Sequence, residues 1–229
     1  MREETSDLVA IIPMKPLAQS KTRLAPHMTP EQRADLVVGM LRRVLSAIQG
    51  SSIDMFWVVG GDERIKNVAR NFDGIWMEEL GRNLNDTLGK AFEQLAVRKA
   101  AALYIAGDLP FLKPSDLHSL LRSSRRNTNI TLAPARRDGG TNAILVPAGL
   151  PFRPELGPRS FSKHLSTAAA MQVSVAICYS PGLGFDLDIS DDLETFQHME
   201  PGLIERLVGH PDDGERWIFG DTRLGEFLP

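Results

Sequence analysis

Cysteine is almost absent: Cys178 is the one thiol in 229 residues. A lone thiol can form neither an internal disulfide nor a zinc site built on paired thiolates, which fits a reducing compartment. No apolar run approaches the roughly 20 residues needed to cross a bilayer. The start, Met1-Arg-Glu-Glu, lacks the charged-then-apolar order of a signal peptide. The expectation is a cytoplasmic protein with no membrane partner. Aromatics make up only 7% of the chain and the net charge is −3, from 26 basic and 29 acidic residues. No extended basic face interleaved with rings is present, so nucleic acid is not an expected partner. Phosphate-binding P-loops, Gly-x-Gly-x-x-Gly, Gly-x-Ser-x-Gly and His-Glu-x-x-His are all missing. The five histidines, His27, His118, His164, His198 and His210, show no ligand spacing and read as surface or helix residues.

A hydrophobic fraction of 42% with 24% charged residues is that of a globular chain, long enough for one sizeable core. Leu8 to Ile12, Met55 to Val59, Leu103 to Ala106, Ile130 to Ala133, Ala143 to Val146 and Val173 to Tyr179 are short β-branched, apolar runs. Most are apolar on both faces, as buried parallel strands are. Thr29-Pro-Glu-Gln32 is a helix start with N-cap, proline and capping-box glutamine, and an apolar stripe from Leu36 to Ile48 follows it. Further helices are expected from Leu84 to Leu95, at Glu63 to Ala69, Ser115 to Leu121, Ser160 to Ala170 and Asp191 to Met199. Strand and helix in alternation imply crossover units over a mainly parallel sheet, and one domain spanning 1–229. Pro201 to Pro229 differs, being broken by glycines; it reads as an ordered appendage packing Trp217, Ile218 and Phe219 on the body, with a partly mobile tail as the alternative, and its apolar residues could serve a homodimer contact.

In such sheets ligands bind beyond the carboxyl ends of the strands. The first strand is followed by a long loop bearing Lys15, Lys21 and Arg23, with no carboxylate from Leu8 to Pro30. Fixed cations at that place suit a polyphosphate, although a solvated basic loop has the same composition. Gly107-Asp108-Leu-Pro110 sets an acid after another strand, either as an oxygen ligand for a divalent cation or as a turn residue. Asp186 and Asp188 share a face if their segment is extended; capping of the next helix is the alternative, a task that Ser190 or Asp191 could perform. Asp138-Gly-Gly-Thr-Asn142 and Leu156-Gly-Pro-Arg-Ser160 carry the glycines, hydroxyls and helix-start amides that phosphates and carboxylates favour, while a plain hairpin turn also explains Gly139-Gly140. Cys178 and the eight methionines fall on apolar stretches and read as core.

Taken together, Ile11-Ile-Pro-Met-Lys-Pro-Leu-Ala-Gln-Ser-Lys-Thr-Arg-Leu-Ala-Pro26, Gly107-Asp-Leu-Pro110, Gly139-Gly-Thr-Asn142, Gly157-Pro-Arg-Ser160 and Asp186-Leu-Asp188 resemble the 2-phospholactate guanylyltransferase family of coenzyme F-420 biosynthesis. The likeness covers residues 8 to about 197, leaving 201–229 as an extension. It implies a three-layer α/β fold like that of nucleotide-diphospho-sugar transferases, with a mainly parallel, Rossmann-like sheet. It further implies transfer of GMP from GTP to a small phosphorylated carboxylate (2-phospholactate, phosphoenolpyruvate or 3-phosphoglycerate), with magnesium as cofactor. On that likeness Asp108 and Asp186 would hold the metal, with Asp188 a less favoured candidate. Lys15, Lys21 and Arg23 would face the triphosphate, and Asn85 would sit near the nucleotide. Thr141, Gly157 and Ser160 would hold the acceptor's phosphate and carboxylate. Related molybdopterin or sugar nucleotidyltransferases, and a non-catalytic nucleotide-binding protein, are the alternatives.

Overall fold

The computed structural model describes residues 7–79, 81–125 and 128–209. Its centre is a seven-stranded sheet in the order β3-β2-β1-β4-β6-β5-β7. β1 (Leu8–Met14), β2 (Met55–Gly60), β3 (Ile75–Met77) and β4 (Ala101–Ile105) are mutually parallel where they pair. β5 (Ile130–Pro134) and β6 (Thr141–Val146) form an antiparallel hairpin, and β7 (Val175–Ile177) pairs parallel to β5. β4 and β6 are buried along their whole length and β1 from Val9 to Ile12, which is why they read as continuous apolar runs.

The helices are α1 (Pro30–Gln49), α2 (Glu63–Asn71), α3 (Leu84–Val97), α4 (Pro114–Ser123), α5 (Ser160–Ala170), the single turn α6 (Pro181–Gly184), α7 (Ser190–Met199) and α8 (Leu203–Gly209). α1 starts as its sequence dictates: the Thr29 hydroxyl accepts from the Gln32 backbone amide and Gln32 Oε1 accepts from the Thr29 backbone amide. Its stripe of Leu36, Met40, Leu41, Val44, Leu45 and Ile48 is fully buried, each side chain contributing about 1.5–3 kcal/mol.

α8 begins the extension and lies so close on α1 that a side chain at Gly39 would collide with the Leu207 backbone. Trp217, Ile218 and Phe219, expected to pack on the body, lie outside the described residues. Four short elements depart from the sequence reading. β3, α6 and α8 were not expected, and β7 spans three residues rather than Val173 to Tyr179. Cys178 lies just past β7, buried, while Tyr179 is 80% exposed. No described helix is long and apolar enough to cross a membrane.

Because β2 and β3 extend the sheet to one side of β1 and β4 to the other, the strand order reverses between β1 and β4. A crevice at their carboxyl ends is the geometric result. β6 runs antiparallel to β4 in the register Ile105↔Ala143, so its first residue, Thr141, arrives at that same edge.

Candidate active site

A cavity of about 410 Å³ opens at the reversal point, between the loop after β1 and the loop after β4. The first loop is pinned rather than free. Leu17 and Leu24 are buried in two single 3-10 turns, and the Leu17 amide donates to Asp62 Oδ2 at 2.9 Å. Asp62 also caps α2, its other oxygen accepting from the amides of Arg64 and Ile65. Between the turns, Lys21 adopts a left-handed backbone (φ 49°, ψ 36°). That conformation costs a non-glycine residue about 1–3 kcal/mol and persists where its surroundings hold it. Here they do: Lys21 Nζ donates to Asp108 Oδ2 at 2.5 Å and to Asp188 Oδ1 at 2.8 Å. Lys15 and Arg23 line the same cavity with exposed side chains.

Asp108 stands just beyond β4 after Gly107, where an added side chain would run into the Met14 sulfur. The second acidic segment is held against it by the Leu187 amide, which donates to the Asp108 carbonyl at 3.3 Å. Below, Phe185 packs edge-on against Phe111 and Phe196, and Leu187 is fully buried. In an extended chain the alternate residues point the other way, which directs Asp186 and Asp188 outward together. Arg137, in the β5–β6 hairpin loop, reaches both: 3.2 Å to Asp188 Oδ2 and 3.9 Å to Asp186 Oδ2, with Asp192 at 3.5 Å.

Helix capping does not absorb these two acids. Asp192 Oδ2 accepts from the amides of Asp188 and Ile189, at 2.7 and 2.9 Å, so Asp192 performs the capping expected of Ser190 or Asp191.

The charges are strongly coupled. Burial alone would depress the Lys21 pKa, but Asp108 and Asp188 outweigh it and hold the ammonium above the usual lysine value. Asp188 is held below the usual carboxylate value: burial raises it, but Lys21, then Arg137 and Arg23, prevail. Asp186 has Arg137 alone as a cationic partner, and only at 3.9 Å. Burial, then the charges of Asp108 and Asp188, push it up to about 6, against a bond from Asn142 Nδ2 at 3.3 Å. Asp188, ranked below Asp186 on sequence, is thus the acid that lines the cavity with Asp108, while Asp186 stands behind, 13% exposed.

A second cluster adjoins the first through Thr141-Asn142. Ser160, the first residue of α5, donates its hydroxyl to Thr141 Oγ1 at 3.1 Å, and both residues are buried. His164 Nδ1 lies 3.0 Å from the same Thr141 oxygen, and the Glu155 amide donates to His164 Nε2 at 3.0 Å. Gly157 has φ 132°, a backbone that side chains rarely adopt, and faces open space.

Asn85, expected near the nucleotide, is engaged on both sides of its amide with Leu156: Nδ2 donates to the carbonyl at 3.0 Å and Oδ1 accepts from the amide at 2.8 Å. It therefore fastens the Leu156–Gly157 loop to the start of α3, beside Leu84, which does line the cavity. The structure gathers Lys15, Lys21, Arg23, Asp108 and Asp188 in one cavity. Asp186 stands one side chain behind, and Thr141, Ser160 and Gly157 lie in the adjoining cluster.

Sequence reasoning passed over Arg137, Asp62 and His164. Arg137 directly precedes the Asp138-Gly-Gly motif and could have been read with it; nothing local signals the other two.

Comparison with known proteins adds to this. Residues 8–201 match the family model described as Guanylyl transferase CofC like. A phosphoenolpyruvate guanylyltransferase of Rubrobacter xylanophilus is 34% identical over 187 residues, covering 80% of this chain and 90% of that one. A 3-phospho-D-glycerate guanylyltransferase of Phenylobacterium zucineum is 32% identical (80% and 86%), and a 2-phospho-L-lactate guanylyltransferase of Methanocaldococcus infernus 29% (86% and 88%). Among solved structures, a protein assigned as a nucleotide-diphospho-sugar transferase of Desulfovibrio desulfuricans G20 superposes with a TM-score of 0.69 at 15% identity, covering 91% of this chain and 99% of that one. At such identity the likeness is one of fold.

Proposed function

The chain belongs to the CofC-like guanylyl transferase family, and from that premise we propose that it transfers GMP from GTP to phosphoenolpyruvate, with release of pyrophosphate, in coenzyme F-420 biosynthesis. The observation that carries the reading is Lys21 bridging Asp108 and Asp188 at the reversal of strand order, with Lys15 and Arg23 alongside. The choice of acceptor follows the Rubrobacter relative. 3-Phosphoglycerate and 2-phospholactate, for which other relatives are named, share its one phosphate and one carboxylate.

An oxygen-only donor set suits magnesium. Asp108 and Asp188 hold a cation, the Lys21 ammonium, between them, which supplies two oxygen donors of the kind such an ion takes, although among the described residues no three acids converge as a ready-made ion site. Asp108 and Asp186, with Asp188, would hold it. When bound, magnesium would offset charge on the α-phosphate as the two anionic reactants meet.

The protein's own groups do the rest. Lys21 exchanges its carboxylate partners for phosphate oxygens, and Lys15 and Arg23 hold the outer phosphates that leave as pyrophosphate. Thr141, Ser160 and Gly157 receive the acceptor. One of its phosphate oxygens forms a bond to the α-phosphorus as the bond from that phosphorus to the β-phosphate oxygen breaks. A phosphate monoester has a second pKa of about 6, so the nucleophile is already ionised and no general base is needed.

Incubation with GTP, magnesium and each of the three acceptors separately, with products identified by mass, tests the reading. A GMP adduct of phosphoenolpyruvate is expected, and pyrophosphate release with none of the three overturns it.

A further inference from the structure

His164 lies on α5 with 1% of its surface exposed, tilted against Phe152 at a ring separation of 5.9 Å. Its two nitrogens are committed to different tasks. The Glu155 amide can only donate, so Nε2, 3.0 Å away, must carry the lone pair. In a neutral imidazole the proton then sits on Nδ1, which donates to Thr141 Oγ1 at 3.0 Å. Burial and the charge of Lys163 push the ring's pKa down to about 4, which keeps it neutral.

Thr141 Oγ1 also accepts from Ser160 Oγ at 3.1 Å. A hydroxyl oxygen has two lone pairs, and both are now taken. The hydroxyl can act further only by giving its own proton, and among the described residues no hydrogen bond to a protein acceptor uses it.

We propose that His164 is a positioning residue for the acceptor: through a single tautomer it makes the Thr141 hydroxyl an obligate donor to an anionic oxygen of the phosphorylated carboxylate, while its other nitrogen fixes the loop that leads to Gly157. The proposal rests on the acceptor-pocket reading above. Two features distinguish this ring from a histidine that merely fills space. It joins two candidate acceptor-binding segments, β6 at Thr141 and the loop at Glu155. The same loop is gripped from its other side by Asn85 at Leu156, so the ring and Asn85 together set where Gly157 stands.

Three substitutions separate the ring's roles. Asn places an amide donor where Nδ1 stands but loses the bond to the Glu155 amide, Gln can supply an acceptor near Nε2 but no donor to Thr141, and Phe has neither. Steady-state kinetics should show the acceptor KM rising about tenfold in His164→Phe and His164→Gln, the size expected of a lost bond to a charged group. The GTP KM should stay within about twofold, and His164→Asn should recover most of the acceptor KM. In a Thr141→Val background, His164→Phe should add little, since the pair acts as a unit.

Nitrogen-15 NMR of the wild-type ring, which needs no turnover, should show Nδ1 protonated and Nε2 bare. A proton on Nε2, an equal rise in both KM values, or additive effects with Thr141→Val would overturn the positioning role while leaving the guanylyltransferase reading intact. A wild type inert with all three acceptors overturns that reading, and this proposal with it.

Discussion

The two halves of the cleft meet anions in opposite ways. On the proposed nucleotide side, Lys21 is paired with Asp108 and Asp188, and Arg137 with Asp188 and, at 3.9 Å, with Asp186, so these charges must be re-partnered when a triphosphate enters. On the proposed acceptor side no charged side chain takes part in the bonds among Thr141, Ser160 and His164, and the hydroxyls are pre-set. One half works by exchange of ions and the other by fixed dipoles. The exchangeable half should carry most of the rate, because fixed or bound charge near a developing charge is the largest catalytic contribution available to such a site.

Asp108→Ala should break the charged half most severely. It removes a carboxylate facing the cavity and leaves Lys21 with Asp188 alone, so pyrophosphate release should fall by roughly 10³-fold or more with the circular dichroism spectrum unchanged. Activity within tenfold of wild type would show that the acid is only a turn residue ahead of Pro110. Next in size is Lys21→Ala, for which kcat/KM for GTP should fall about 100-fold. The exposed Lys99→Ala should change it less than twofold, and equal effects of the two would remove Lys21 from the triphosphate site. The neutral half should respond more mildly: Ser160→Ala leaves Thr141 with a free lone pair, raising the acceptor KM about five- to tenfold with little change in the GTP KM.

How far each half was legible follows from how local its signals are. β1 is a continuous apolar run, and the cations that follow have no nearby acid, so strand, loop and Lys21 could be read together. Asp108 is equally local, one residue beyond a glycine at a strand end. β3 escaped because it has three residues, with Ile75 half exposed, too few for any period. The order of Asp186 and Asp188 was hidden because it depends on which of them meets Lys21, 167 residues from Asp188 along the chain. Asn85 was expected near the nucleotide, and its bonds to Leu156 were hidden because that partner is 71 residues away. His164 looked like one more residue on a helix, since the groups that give it a role, Thr141 and the Glu155 amide, come from other segments.

The smallest expected change in stability also draws the contrast most finely, because it sets stability against activity within one residue. Asp186 is an acid whose pKa in the folded state, about 6, lies above its ordinary value of 3.8. Between those two pH values the folded protein binds more protons than the unfolded chain, so stability falls as pH rises through that window and then levels off above about 6. Ionised Asp186 thus costs the fold stability, a cost that a cation beside it would offset. Asp186→Asn removes the charge while Asn142 and Arg137 remain. It should raise stability at pH 7.5 by on the order of 1 kcal/mol, since the nominal shift is discounted for the nearness of solvent. The gain should shrink as pH falls below 6 and vanish near 4, as read from urea unfolding at each pH. Turnover should be lost at every pH. A variant no more stable than wild type at pH 7.5 would mean that the charge of Asp186 is already compensated by its protein neighbours, and the charged half would then be as pre-set as the neutral one.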